Sequence, residues 1–218
     1  MASIGDQIYL EHLVDQQVIR GSVLELGSYN RQQVEWGTSR VLMQSRGLHW
    51  TGTDIEAGPD VDFTLDLLDS AAVAAVSDRW DSILVLNLLE HVYDPIRVLE
   101  HARQLLNPGG CIVAVGPAVW QLHDYPADYW RPLPDFFIEF ARRNGGEARE
   151  EDMRWIWSER LFEVTAYKLG AQKVIPSADT VNQMYGRVYG TLIRATQRLA
   201  GKRQYWAAHM ELGAVMRW

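Results

Sequence analysis

Ser22-Val23-Leu24-Glu25-Leu26-Gly27-Ser28-Tyr29-Asn30 is an apolar run that breaks at a glycine, directly after an acid-bearing stretch. The next apolar run closes on a second acid, Asp54. Strand, glycine turn, helix, strand, acid is the order by which an open parallel sheet holds an adenosine-bearing cofactor. The glycine lets backbone approach the ligand, and the acid accepts hydrogen bonds from ribose hydroxyls. A dinucleotide pyrophosphate would need amides brought very close, with small residues at positions 29 and 31. This chain has Tyr29 and Arg31 there, which disfavours a dinucleotide.

Working outward, Leu10, Leu13, Val14 and Val18 recur at helical spacing, so residues 1–21 read as an N-terminal lid or packing helix that ends at Arg20-Gly21. After strand one (22–26), the pattern predicts a helix over 32–45 with Val34, Val41 and Leu42 on its buried face. Strand two follows over 48–53, then a short strand over 61–65 that ends at Asp66, and a brief helix over 70–76. Residues 81–86 read as a buried central strand with Asn87 at its carboxyl end. Asp94-Pro95 opens a helix as N-cap and first-turn proline, with Ile96, Leu99, Ala102 and Leu106 as its buried face. Asn107-Pro108-Gly109-Gly110 is a turn, and residues 111–115 form strand five. Alternation of this kind predicts an α/β fold, a Rossmann-like doubly wound and mostly parallel sheet. The core is expected over 22–170, including an aromatic substrate loop at 117–134. A helix over 135–143 follows, then strands over 153–157 and 162–167, and an appended helical C-terminal segment at 171–218.

Composition bounds the function. The chain has 218 residues, 47% of them hydrophobic and 22% charged, as in a soluble domain with a sizeable core. A net charge of −7 argues against nucleic acid and against broad anionic-membrane binding. Arg187, Arg194, Arg198, Lys202 and Arg203 form one local basic stretch, read as a solvated helix face. Nine Trp are many, and they serve core packing or a substrate pocket. The single cysteine, Cys111, excludes an internal disulfide and a cysteine metal cluster, and it reads as an inert core thiol. No signal-peptide pattern and no run of ~20 apolar residues is visible, so the expected location is cytoplasmic.

Four blocks then carry a resemblance: Val23-Leu24-Glu25-Leu26-Gly27, Thr53-Asp54-Ile55, Leu88-Leu89-Glu90-His91-Val92 and Leu105-Leu106-Asn107-Pro108-Gly109-Gly110. In order and spacing they resemble the class I S-adenosylmethionine-dependent methyltransferases, most nearly the small-molecule group called type 11, over about half the chain. The resemblance implies S-adenosylmethionine as cofactor. Gly27, Ser28 and Tyr29 would pass along its methionine portion. Asp54 would hold the ribose, Ile55 would pack on adenine, Asp66 or Leu67 would meet the adenine edge, and Asn87 and Leu88 would sit near the amino-acid part. Glu25 fits an organiser of the loop better than a ligand. Structural alternatives stay open for Asp54 as a turn cap, for Asp66 as an N-cap, and for Tyr29 as a lid residue rather than a ring facing the sulfonium.

Methyl transfer needs a nucleophile aligned with the methyl group, and a base if the nucleophile is a hydroxyl. His123 lies after strand five at the ligand end of the sheet, so it is the candidate base, with Asp124 beside it as catalytic partner. The surrounding His-x-Tyr-Pro-x-Asp-Tyr-Trp-Arg pattern also resembles members of the group. Tyr129, Trp130 and His91 are candidate substrate-site residues, or anchors of the loops they stand on. His12, His49, His101 and His209 lack ligand spacing, and no metal site is expected. The expected activity is methylation of oxygen or nitrogen on a small-molecule acceptor, with a homodimer left open. The competing readings are a nicotinamide oxidoreductase, a non-catalytic Rossmann-like partner protein, and a methyltransferase for a glycan or lipid-linked acceptor.

Overall fold

Strand burial on both faces organises the molecule, because each strand carries apolar side chains to two separate helix layers. A computed structural model describes residues 4–31, 33, 37–119, 127–157 and 210–218. Its strands are β1 (Ser22–Leu26), β2 (His49–Asp54), β3 (Phe63–Thr64), β4 (Trp80–Leu86), β5 (Leu106–Val119), β6 (Met153–Trp157) and β7 (Met210–Arg217). They form one sheet in the order β3-β2-β1-β4-β5-β7-β6. The first five strands run parallel, and β7 is antiparallel to both β5 and β6.

On one face, α1 (Ile4–Asp15) and α2 (Arg40–Ser45) pack Tyr9, Leu10, Leu13 and Met43 against Val23, Leu84, Leu86, Val113 and Val215. On the other, α3 (Ser70–Ala75), α4 (Pro95–Gln104) and α5 (Pro134–Arg143) cover Leu24, Leu26, Ile83, Val85, Ile112 and Ala114. Adjacent residues such as Val23 and Leu24 therefore belong to different cores, as the two-residue period of a strand requires. Asp94 caps α4 as expected, accepting from the Arg97 N–H at 3.0 Å, with Pro95 in the first turn.

Several expectations change; Leu106, expected on the buried face of that helix, and Asn107-Pro108-Gly109-Gly110, expected as a turn, instead begin β5 (Leu106–Val119). The helix predicted over 32–45 is a helix only over Arg40–Ser45; Gly37, Thr38 and Ser39 form bends before it, and residues 32 and 34–36 lie outside the described residues. Met43 is the side chain it buries, while Val41 is exposed, because a helix this short turns a narrow face to the sheet. In α4, Ile96 is likewise exposed, and Pro95, Val98, Leu99, His101 and Ala102 form the buried face. The segment expected to be a helical appendage ends in β7, which lies inside the sheet. Leu212, Ala214 and Met216 face one core and Val215 the other, a period of two that a helix cannot supply. The remainder of that segment, and the strand expected over 162–167, lie outside the described residues.

Candidate active site

β1 and β4 are neighbours in the sheet although β2 and β3 intervene in sequence, so the strand order reverses between them. Ligands of open α/β sheets bind beyond the carboxyl ends of the strands at such a reversal. Gly27 leaves β1 at φ +75, a conformation side chains resist. A Cβ there would stand 3.0 Å from the Leu88 side chain, so glycine also lets the two loops close on each other. The Gly27 and Ser28 N–H groups donate to the Thr53 carbonyl at 2.8 and 3.1 Å, which holds the turn against β2.

Asp54 lies at the end of β2, half-exposed. Its Oδ2 accepts from the Tyr29 N–H at 3.1 Å and its Oδ1 from the Glu56 N–H at 3.1 Å. Each oxygen thus takes one backbone donor, and a carboxylate accepts about four hydrogen bonds in all. Capacity remains for a ribose diol, so the turn-capping role and the sugar-binding role are compatible. Ile55 beside it is 65% exposed, an apolar surface at the rim of the sheet. The Leu65 N–H donates to the Asp54 carbonyl at 2.9 Å, which brings Asp66 and Leu67 alongside.

Glu25 organises the loop behind this rim. It is 2% exposed, and its Oε2 accepts from the Ser39 N–H at 2.8 Å, the Ser39 hydroxyl at 2.5 Å and the Trp50 indole at 3.1 Å. Burial pushes its carboxyl above the ordinary range, opposed by those donors. A second acid, Asp60, sits at φ +65 and gathers the Asn30 amide and the Thr38 hydroxyl, both at 2.9 Å, with the Arg40 guanidinium 3.3 Å away.

Several candidates are spent on structure. The Ser28 hydroxyl turns inward and donates to the Asp60 carbonyl at 2.7 Å, so this side chain braces the loop, leaving backbone as its contribution to a ligand. The Tyr29 ring packs on Gly58 and carries the Arg31 guanidinium 4.5 Å from its centroid, a lid-like arrangement over the β2–β3 loop. Asp66 accepts from the Leu68 N–H at 2.8 Å, and the N-cap of α3 is Asp69, which accepts from Ala71 and Ala72. The Leu67 carbonyl accepts from His101 Nδ1 at 2.7 Å, and His101 Nε2 stands 3.1 Å from the Ser70 hydroxyl, so this histidine ties α4 to the loop. Asn87, at φ +47, donates its amide to Asp6 of α1 at 3.0 Å, a partner that its distance in sequence conceals.

A second group gathers around the short 3-10 turn Leu89–His91. His91 Nδ1 and the Ala127 carbonyl are 2.6 Å apart; since a carbonyl only accepts, the proton is on Nδ1. The Tyr129 N–H donates to the Glu90 carbonyl at 2.7 Å, and the Trp130 indole donates to the Tyr93 carbonyl at 3.3 Å. The Tyr93 and Tyr129 rings meet edge-on at 5.8 Å. Residues 127–130 are thereby strapped to the end of β4, with the Tyr129 and Trp130 rings still exposed. His123 and Asp124 lie outside the described residues. Among the described residues no His, Cys, Asp or Glu cluster could hold a metal ion, and Cys111 is buried with its thiol pushed up by burial.

With this geometry in place, comparison with known proteins settles the family. A family model described as "Methyltransferase domain" matches residues 9–167, most of the chain and every element from β1 to β6. The chain belongs to that methyltransferase family. Membership in a methyltransferase family removes the nicotinamide reading. A ubiquinone biosynthesis O-methyltransferase of Cereibacter sphaeroides is 43% identical over 42 residues, 19% of this chain and 17% of that protein's length. The likeness to that relative is thus confined to a short stretch. Among solved structures, a SAM dependent methyltransferase from Archaeoglobus fulgidus superposes with a TM-score of 0.59, at 14% identity over 98% of this chain and 93% of that one. A Burkholderia thailandensis 1,6-didemethyltoxoflavin-N1-methyltransferase, with 1,6-didemethyltoxoflavin and S-adenosylhomocysteine bound, gives 0.55, at 12% identity over 97% and 76% of the two chains. At these identities the superpositions establish the shared fold.

Proposed function

We propose that the chain is a cytoplasmic S-adenosylmethionine-dependent methyltransferase that methylates an oxygen or nitrogen of a small-molecule acceptor. The observation that carries this is the Asp54 carboxylate with spare acceptor capacity, held by the Tyr29 amide beside the Gly27 turn at the reversal of strand order. The small-molecule acceptor is supported by the substrate-bound neighbour from Burkholderia thailandensis. The net charge of −7 supports an acceptor that is not nucleic acid, and among the described residues no helix is long and apolar enough to cross a membrane.

In this reading Asp54 holds the ribose diol, Ile55 covers the adenine, and Asp66 and Leu67 flank its edge. Gly27, Ser28, Tyr29, Asn87 and Leu88 line the methionine portion. S-adenosylmethionine supplies an electrophilic methyl on a positively charged sulfur. The protein's own contribution is alignment and exclusion of water: Gly27 and Leu88 close the crevice from two sides, and His91 with Tyr129 and Trp130 strap the acceptor side. His123 is the proposed base for the acceptor proton, with Asp124 beside it. Calorimetric titration of pure protein with S-adenosylhomocysteine tests the proposal. Absence of binding would end it, and methyl transfer to a panel of phenols and amines then identifies the acceptor.

A further inference from the structure

We infer that Asp6, on the first turn of α1, is a positioning residue that sets the amide of Asn87 at the cofactor site; this rests on the methyl-donor reading above. The crevice between the carboxyl ends of β1 and β4 is bridged by that first turn. Gln7 Nε2 donates to the Thr38 carbonyl at 3.0 Å, on the β1 side, and Asp6 Oδ2 accepts from Asn87 Nδ2 at 3.0 Å, on the β4 side. Asp6 is 0% exposed, so the bond to Asn87 is shielded from water and from competition by it.

The chemistry of the pair fixes a direction. A carboxylate only accepts, so Asn87 must turn its amide nitrogen to Asp6 and its carbonyl oxygen away. The backbone of Asn87 is fixed as well, by its left-handed φ of +47 and by its N–H donating to the Val115 carbonyl at 2.8 Å. Asn87 Oδ1 then becomes a preorganised acceptor at the end of β4, suited to an ammonium such as that of the cofactor's methionine portion. An amide at position 6 would allow Asn87 to sit either way round, since each end of one amide can pair with the other. A carboxylate removes that choice.

The test is calorimetric titration of the full chain with S-adenosylhomocysteine, using wild type, D6A, D6N, N87A and D6A/N87A. D6A is expected to weaken binding about tenfold, the scale of one hydrogen bond to a charged group, and D6N about threefold. In the N87A background D6A is expected to cost less than twofold, because its effect runs through the missing amide. A purely structural role for Asp6 would lower the melting temperature and leave the affinity of the folded protein unchanged, and that result overturns the inference. So does a D6A penalty that persists undiminished with N87A. Should D6A not fold, the isosteric D6N and D6N/N87A pair carries the same comparison, with threefold expected to fall to none. Wild-type protein that fails to bind overturns the cofactor reading itself, whereas wild-type binding with unaltered D6A and D6N overturns this inference alone.

Discussion

The two oxygens of Asp54 each hold one backbone N–H, from Tyr29 and Glu56, and this shapes what its removal does. Asp54→Ala is expected to weaken S-adenosylhomocysteine at least tenfold, since hydrogen bonds to a charged acceptor contribute about 1.5–3 kcal/mol; calorimetry reads the change. The acid and its place at a strand end were legible in the sequence, because Asp54 directly closes the apolar run over 48–53. The competing duties of its neighbours were not. Ser28 and Asp66 have residue types suited to a ligand, yet their side chains close loops, and only the partners across space show it. His123→Ala is expected to lower kcat by about 10²–10⁴ with S-adenosylhomocysteine affinity unchanged, the range for loss of a general base; single-turnover methyl transfer alongside calorimetry separates the two effects.

Among the elements, the turn after β1 and the start of the same strand respond to different changes. Gly27→Ala is expected to cost about 1–2 kcal/mol from the left-handed backbone alone, with more from the Leu88 side chain 3.0 Å away, as read by the urea midpoint. At the opposite end of the strands, Asp81 of β4 accepts from the Ser22 N–H at 2.9 Å and the Asn107 amide at 2.9 Å, stapling β1 and β5 to β4. The Ser22 N–H, and after it the Asn107 amide, hold the Asp81 carboxyl below its ordinary value of 3.8. A depressed carboxyl contributes stability above its unfolded value and loses it as pH falls through the folded one. Denaturant midpoints of wild type should therefore fall more steeply than those of Asp81→Asn between about pH 5 and pH 3. Equal slopes would remove Asp81 from the acid response. The start of α4 followed from capping chemistry at Asp94, whereas α3 is capped by Asp69 and not by Asp66, and buried faces did not follow from the sequence. Ile96 and Val41 occupy apolar positions by type and face outward, because the angle at which a short helix meets the sheet selects its face.

For the whole molecule, β7 joins the two ends of the chain's fold. It lies between β5 and β6, so deleting residues 210–218 would leave both strands with open edges and remove Leu212, Ala214, Val215 and Met216 from the two cores. That truncation is expected to abolish cooperative thermal unfolding, as followed by circular dichroism. By itself the sequence determined the α/β class, the parallel direction of β1 to β5, the glycine turn at Gly27 and the acid at the end of β2. Those features are written in local periodicity and in residues whose backbone or charge admits few roles. Tertiary structure alone decided that the last strand returns into the sheet, that Asp6 meets Asn87 across 81 positions, and that Glu25 gathers Ser39 and Trp50. The reason is physical: a hydrogen bond between distant segments depends on how helices and loops settle over the sheet, and neither composition nor spacing along the chain encodes which buried donor will face which acid.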